Sequence, residues 1–167
     1  RAEMQSAGSA GARAMRCVII PGRRYEQFHR LEDFRAAEAA GRQMVLRAAP
    51  IAEKLRLPLA VENHKDQRND ERLKLLEEVS SEYVGACLDT GNSLALLEGP
   101  LETIRAFAPW ARSVHFKDQA LQPYTDGFLL GDIPLGQGAL DLPAIVRILR
   151  EQQPELPFCL ELLTREP

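Results

Sequence analysis

The chain has 167 residues, which suits a single domain over 1–167, and 45% of them are hydrophobic, enough for a buried core. Its formal net charge is −3 and its basic residues are scattered, which argues against a nucleic-acid-binding protein, because such proteins cluster their basic residues. No apolar run approaches the roughly 20 residues that cross a membrane, so no membrane association is expected.

Apolar runs typical of buried strands alternate with helix-forming segments along the whole chain. Proline disrupts a helix interior, so a break or restart is expected at Pro50 within the longest helix. Asp141 is placed to cap the last helix. In chain order, the sequence predicts a strand at 14–20, a helix at 31–55, a strand at 59–62, a helix at 70–79, a strand at 84–89, a helix at 101–108, a strand at 113–116, a helix at 141–152 and a strand at 158–162.

Alternation of strands and helices implies parallel strands joined by right-handed crossovers. Two architectures fit this order, an open doubly wound sheet and a (β/α)8 barrel. The sequence lacks the G-x-G-x-x-G loop and the Walker A motif that mark nucleotide-binding sheets. A full barrel takes about 250 residues. The barrel interpretation therefore expects a partial barrel, which lacks N-terminal strands and is clipped after its last strand.

The three cysteines, Cys17, Cys87 and Cys159, are far apart and each lies in an apolar run. Their odd number and spacing argue against a disulfide framework and against a thiolate zinc site. We expect small buried hydrophobic side chains in a reducing compartment, and the cytoplasm is the expected location.

Four successive predicted strands end in side chains that can ligate a metal. The strand in 59–62 ends at Glu62, and the later strands end at or near Asp89, His115 and Glu161. The carboxyl ends of parallel strands lie on one face of the sheet or barrel, where active sites form. The sequence therefore predicts that these four side chains converge.

Each of the four has an ordinary alternative. A single carboxylate at a strand end is usually a cap or a loop contact, and a single histidine is usually packed or hydrogen-bonded. Three converging carboxylates, however, would repel one another and lose solvation without a cation. We therefore predict one divalent metal ion. Three carboxylates and one imidazole form an oxygen-rich site that suits Mn²⁺ best, with Mg²⁺ or Co²⁺ as alternatives.

Five short motifs carry a family resemblance when they are taken together and in order. The chain resembles the C-terminal part of the xylose isomerase-like TIM barrels, the sugar phosphate isomerase/epimerase superfamily. The resemblance implies an α/β fold, a (β/α)8 TIM barrel of which this chain supplies strands four to eight. The motifs are ENH at 62–64, CLDTGN at 87–92, SVHFKD at 113–118, LGQGALD at 135–141 and CLE at 159–161.

In the ketose epimerases of this superfamily, four strand-end ligands bind one divalent metal, which chelates a carbonyl and a hydroxyl of the sugar. The resemblance implies that Glu62 and Glu161 are both ligands and the acid/base pair. The implied function is a metal-dependent isomerase or epimerase of a sugar or sugar-acid derivative, in which a proton leaves next to a carbonyl and a metal-stabilised enediolate forms. A carbohydrate is then the expected small-molecule partner, and a homo-oligomer is possible in this family.

Five neighbouring residues are candidate substrate contacts. Lys117 can neutralise enediolate charge and Asp118 can orient a ligand, although both also suit a surface ion pair. His64 can bind a substrate hydroxyl or support the adjacent glutamate, and Asn92 can contact the ligand or cap a helix. Arg165 can meet a carboxylate or phosphate of the substrate. Gly136 and Gly138 are expected only to permit a tight turn.

One position departs from the epimerase pattern. Those enzymes often carry a histidine three residues after the aspartate ligand, where this chain has Asn92. That difference argues against ordinary ketose 3-epimerase specificity and against the zinc-dependent nuclease branch, which binds three zinc ions through many histidines. The ending LELLTREP resembles a subgroup that includes decarboxylases of branched oxo-acids. A metal-dependent lyase is therefore the alternative function.

Overall fold

The computed structural model describes residues 1–162 of the chain, in which helices and parallel strands alternate. The strands are β1 (Met15–Cys17), β2 (Leu59–Glu62), β3 (Val84–Asp89), β4 (Ala111–Phe116), β5 (Asp118–Tyr124), β6 (Gly127–Ile133) and β7 (Phe158–Leu160). The helices are α1 (Ala2–Ser9), α2 (Arg24–Gln27), α3 (Leu31–Leu55), α4 (Asn69–Val79), α5 (Pro100–Phe107) and α6 (Leu142–Gln152), with 3-10 turns at Asn92–Leu96 and Ala108–Trp110.

Five strands form one parallel sheet in the order β1-β2-β3-β4-β7. Neighbouring strands in this sheet follow one another along the chain, and the hairpin of β5 and β6, which lies outside the sheet, comes between β4 and β7. A doubly wound sheet reverses its strand order at a switch point, and this sheet has none. The five strands form a half-barrel, so the predicted partial barrel is confirmed.

Strands β2 and β3 are buried because both of their faces are covered. Every residue of β2 and of β3 is buried. Helix α6 packs Ile145 and Leu149 into the same core, and α3 adds Phe34 and Val45. Asp141 caps α6 as predicted, since its carboxylate accepts a hydrogen bond from the Ala144 amide at 3.0 Å. No helix within residues 1–162 is both long and apolar enough to cross a membrane.

The expected break at Pro50 is wrong, because α3 runs unbroken from Leu31 to Leu55. Pro50 lies on the exposed face of the helix, whereas Ala49 and Ala52 lie on the buried face. A carbonyl that loses its partner to an exposed proline can bond to water, and packing on the opposite face holds the helix together.

The structure adds an antiparallel hairpin that the sequence interpretation missed. Strands β5 and β6 pair from Asp118 with Ile133 to Tyr124 with Gly127. An Asp-Gly pair at 126–127 is a common hairpin-turn signal that the sequence analysis did not use. Helix α1 was also missed, and β1 is shorter than the predicted strand at 14–20.

We expect Gly85→Ala to lower the free energy of unfolding by about 1–3 kcal/mol, because a Cβ at Gly85 would lie 2.1 Å from the Trp110 carbonyl oxygen. The matched control is Gly131→Ala, where a Cβ would meet no atom within 4 Å. Urea unfolding of both variants measures the difference. Equal stability of the two variants would contradict this close approach of β3 to the 3-10 turn that precedes β4.

Candidate metal centre

The four predicted ligands converge at the carboxyl edge of the sheet. Strand pairing sets Asp89 beside His115, and the neighbouring strands bring Glu62 and Glu161 to the same edge. One ligand atom from each residue lies within 4.8 Å of the others. Opposite ligands of an octahedral Mg²⁺ lie about 4 Å apart, so a cluster of this width fits one divalent ion.

Lys117 is the cation closest to this cluster on the β4 side. Its Nζ lies 2.9 Å from Asp89 Oδ2 and 2.5 Å from Glu161 Oε2, and its side chain is buried. The Thr90 hydroxyl fixes the backbone of Lys117, because it donates to the Lys117 carbonyl at 2.8 Å and accepts from the Lys117 amide at 3.0 Å. The ammonium is thus held against two of the carboxylates.

Glu62 is fixed by groups on both sides of its carboxylate. Arg16 Nε donates to Oε2, and Asn92 Nδ2 donates to Oε1 at 3.2 Å. His115 Nδ1 lies 3.6 Å from Glu62 Oε1 and 3.4 Å from Glu161 Oε1. The imidazole therefore lies between Glu62 and Glu161, the two glutamates that the family resemblance implies as the acid/base pair.

Asp89 is oriented mainly by backbone groups. The amides of Gly91 and Asn92 donate to its Oδ1 at 2.9 and 2.8 Å. Asn63 pairs with the Asp89 backbone in both directions, since it donates to the carbonyl at 2.9 Å and accepts from the amide at 2.6 Å. Oδ2 is left to face Lys117 and the centre of the cluster.

The electrostatics of the cluster favour added positive charge. Burial raises the pKa of Asp89 to about 7, against the opposing effect of Lys117. Hydrogen bonding to His115, followed by Lys117, holds the pKa of Glu161 far below its usual range. The pKa of His115 is raised, first by the Cys87 side chain and then by Glu161 and Glu62. A metal would take the place of the imidazole proton, because a ligating histidine is neutral.

Comparison with known proteins agrees with the fold. A family model described as xylose isomerase-like TIM barrel matches residues 1–167. The chain belongs to the xylose isomerase-like TIM barrel family. The predicted family is thereby confirmed.

One curated relative is a 3-oxo-isoapionate decarboxylase from Pectobacterium atrosepticum, 31% identical over 106 residues, which are 62% of this chain and 38% of that protein. A xylose isomerase-like TIM barrel protein from Mycobacterium smegmatis in complex with magnesium has a TM-score of 0.76 at 19% identity, covering 98% of this chain and 59% of that one. An L-ribulose 3-epimerase has a TM-score of 0.69 at 17% identity, covering 96% and 52%. The chain thus spans less than two thirds of the length of each of these proteins.

The ligand-orienting role expected of Asp118 stays a prediction, and the structure places its carboxylate among backbone amides. It is fully buried, and its two carboxylate oxygens accept four backbone N–H groups. Its Oδ2 binds the amides of Gly136 and Gly138, and a Cβ at Gly138 would lie 2.1 Å from Oδ1. Gly136 and Gly138 therefore let the loop close around the Asp118 carboxylate, in addition to permitting a tight turn. The remaining donors are the amides of Gln119 and Leu140.

Two other candidates have different outcomes. His64 Nδ1 lies 3.1 Å from the Gly22 carbonyl oxygen, which ties the loop after β2 to the loop after β1. Burial lowers the pKa of His64, which favours its neutral form. Arg165 lies outside the described residues.

Sequence reasoning missed Arg16 and Asn63, which both contact the ligand residues. An arginine inside an otherwise apolar strand run was a usable signal for Arg16. Asn63 stood inside the quoted motif ENH, but its partner is a backbone group of the neighbouring strand, which no local pattern identifies.

We expect Asp89→Asn to weaken Mg²⁺ or Mn²⁺ binding by at least tenfold, because one anionic ligand is lost from the cluster. Calorimetric titration of the whole protein measures this affinity. The control is Asp126→Asn at the exposed hairpin tip, which should bind metal as the wild type does. Unchanged affinity of Asp89→Asn would rule out the four-ligand site.

Proposed function

We propose that this chain carries the metal centre of an isomerase or epimerase that acts on a sugar or sugar-acid derivative. The observation that carries the proposal is the convergence of Glu62, Asp89, His115 and Glu161 within 4.8 Å. Three of these groups are carboxylates, and family members that share this fold include epimerases. The proposed substrate is a small carbohydrate with a carbonyl group.

The donor set favours a hard divalent ion. Carboxylate oxygens and one imidazole suit Mn²⁺, with Mg²⁺ or Co²⁺ as alternatives, and the similar protein from M. smegmatis was solved with magnesium. Such an ion, when bound, polarises a carbonyl oxygen and stabilises the negative charge of an enediolate. All other steps fall to the side chains of this chain.

Glu62 and Glu161 are the proposed proton-transfer pair. Their Oε1 atoms lie at 3.6 and 3.4 Å from the same imidazole nitrogen, so they flank the position that a ligand would take. The Glu161 side chain is 27% exposed and the Glu62 side chain 1%, so a substrate can approach Glu161 more freely. Removing a proton from one face and returning it to the other, or to the next carbon, requires two such groups.

Lys117 and Arg16 supply the positive charge around the reacting carbon. Lys117 Nζ contacts Glu161 Oε2, which places an ammonium beside the proposed base. An ammonium in this position stabilises negative charge that develops on a substrate oxygen. Burial acts to raise the pKa of Glu62, but hydrogen bonding to His115 and then to Arg16 lowers it overall, so Arg16 helps to keep this carboxylate ionised.

A decarboxylase is the second candidate, and one observation favours it. The curated relative at 31% identity is a 3-oxo-isoapionate decarboxylase, whereas the similar epimerase structure is 17% identical. Loss of CO2 from an oxo-acid produces the same kind of enediolate as loss of a proton. That reaction then needs one acid to protonate the carbon, and Glu161 or Glu62 would supply the proton.

The test is proton NMR of the whole protein loaded with diamagnetic Mg²⁺, in D2O, with a panel of ketoses and oxo-sugar acids. Deuterium next to the carbonyl with an intact carbon skeleton would support the isomerase or epimerase. Deuterium together with loss of the carboxyl carbon would support the decarboxylase. A protein that binds Mg²⁺ yet exchanges no proton in any compound of the panel would contradict both.

We expect Glu161→Gln to reduce turnover at least 100-fold at saturating metal, because the amide cannot accept a proton from carbon. The fold should persist, since Glu161 lies beyond β7 at the end of the sheet. Glu155→Gln, at an exposed position before β7, is the matched control and should retain full turnover. Turnover near the wild-type value in Glu161→Gln would remove this residue from the acid/base role.

A further inference from the structure

A cavity lies on the same side of the half-barrel as the candidate metal ligands. Its volume is about 320 Å³, and loops that follow successive strands of the sheet form it together with the hairpin. Arg23 follows β1, Lys65 follows β2 and Leu96 ends the turn after β3. Phe128 and Leu130 of β6 form the opposite wall. The cavity thus combines cationic groups with an apolar wall.

Lys65 connects this cavity to the metal centre. It comes three residues after the ligand Glu62, and its backbone carbonyl accepts the Arg24 amide at 2.9 Å, which joins the first two loops. Burial lowers the pKa of Lys65, and the positive charges of Lys117 and Arg23 lower it further. Asp89 acts in the opposite direction, so the ammonium lies within electrostatic range of a metal ligand.

The carboxylate of Glu26 also lines this cavity and pairs with Arg23, which leaves Lys65 as its less neutralised cation. Within residues 1–162, no carboxylate forms an ion pair with Lys65, whose side chain is partly buried. Arg23 pairs with Glu26 at 2.8 Å, and both side chains are more than half exposed. A surface pair of this kind contributes little and is easily exchanged for another anion. The cavity therefore presents positive charge to whatever enters it.

We propose that this cavity binds an anionic group of the substrate, a carboxylate or a phosphate, with Lys65 as the principal contact and Arg23 as the second. The inference rests on the proposed function, because it assumes that the carbonyl end of the same molecule lies at the metal centre. It narrows the substrate class to sugar acids or sugar phosphates and disfavours neutral ketoses.

The apolar wall strengthens the expected interaction. Leu96, Phe128 and Leu130 line one side of the cavity, and a charge pair is stronger beside apolar side chains than in open water. An ammonium and a guanidinium together match the several oxygen atoms of a carboxylate or phosphate. A neutral hydroxyl in the same place would offer Lys65 no counter-charge.

The experiment uses calorimetric titration of the Mg²⁺-loaded whole protein with three four-carbon probes of matched configuration. The probes are erythronate, erythritol phosphate and neutral erythritol. We expect the wild type to bind at least one anion tenfold or more tightly than erythritol, and the stronger anion identifies carboxylate or phosphate. Lys65→Met should reduce that preference to less than threefold, and Lys65→Arg should retain it.

Two controls separate this inference from the proposed function. Lys74→Met removes an exposed lysine of α4 and should leave the anion preference unchanged. Mg²⁺ affinity is measured for every variant and should not change with Lys65. Failure of the wild type to bind Mg²⁺ would contradict the proposed function. The cavity would still be tested, because the anion preference can be titrated again without Mg²⁺.

A wild-type protein with no preference for either anion would overturn the inference. So would a Lys65→Met protein that folds, as judged by its thermal unfolding midpoint, and keeps the full preference, because the anion would then bind the metal or another group. Should Lys65→Met fail to fold, Lys65→Gln is read by the same criterion.

Discussion

Repulsion among three carboxylates at one edge of a parallel sheet is the constraint on which the rest of this structure depends. Glu62 and Asp89 are almost fully buried there, and Glu161 completes the set. Buried like charges are unfavourable unless cations or hydrogen bonds offset them. Arg16 of β1 and Lys117, which directly follows β4, offset this repulsion through ion pairs. The site remains suited to a divalent ion.

A second layer of contacts fixes the geometry of that edge. Asn63 bonds to the backbone of Asp89, so adjacent strands are tied at the level of the ligands. Thr90 holds the backbone of Lys117 in the same way. Asp118 gathers four amides of the hairpin and the following loop. Ligands that are held this firmly need little rearrangement when a metal or substrate binds.

The loops above the sheet extend the site from a metal centre toward a substrate pocket. Gly22 and His64 join the first two loops, and the hairpin of β5 and β6 faces them across the cavity that contains Lys65. The cations of this region are consistent with a substrate that carries its own negative charge. An isomerase and a decarboxylase of sugar acids would both use such an arrangement, and they differ in which group leaves the carbon.

The sequence by itself determined the alternation of elements and the four polar side chains at the strand ends, because an apolar strand that ends in a polar side chain is a local pattern, while the partial barrel followed from the family resemblance. It did not determine that α3 passes Pro50, since packing on the opposite face decides that. Nor did it identify Arg16 as the partner of Glu62, or the four backbone amides that bind the Asp118 carboxylate. Those outcomes depend on strand register and loop wrapping, which bring together residues far apart in the chain, and only the tertiary structure sets them.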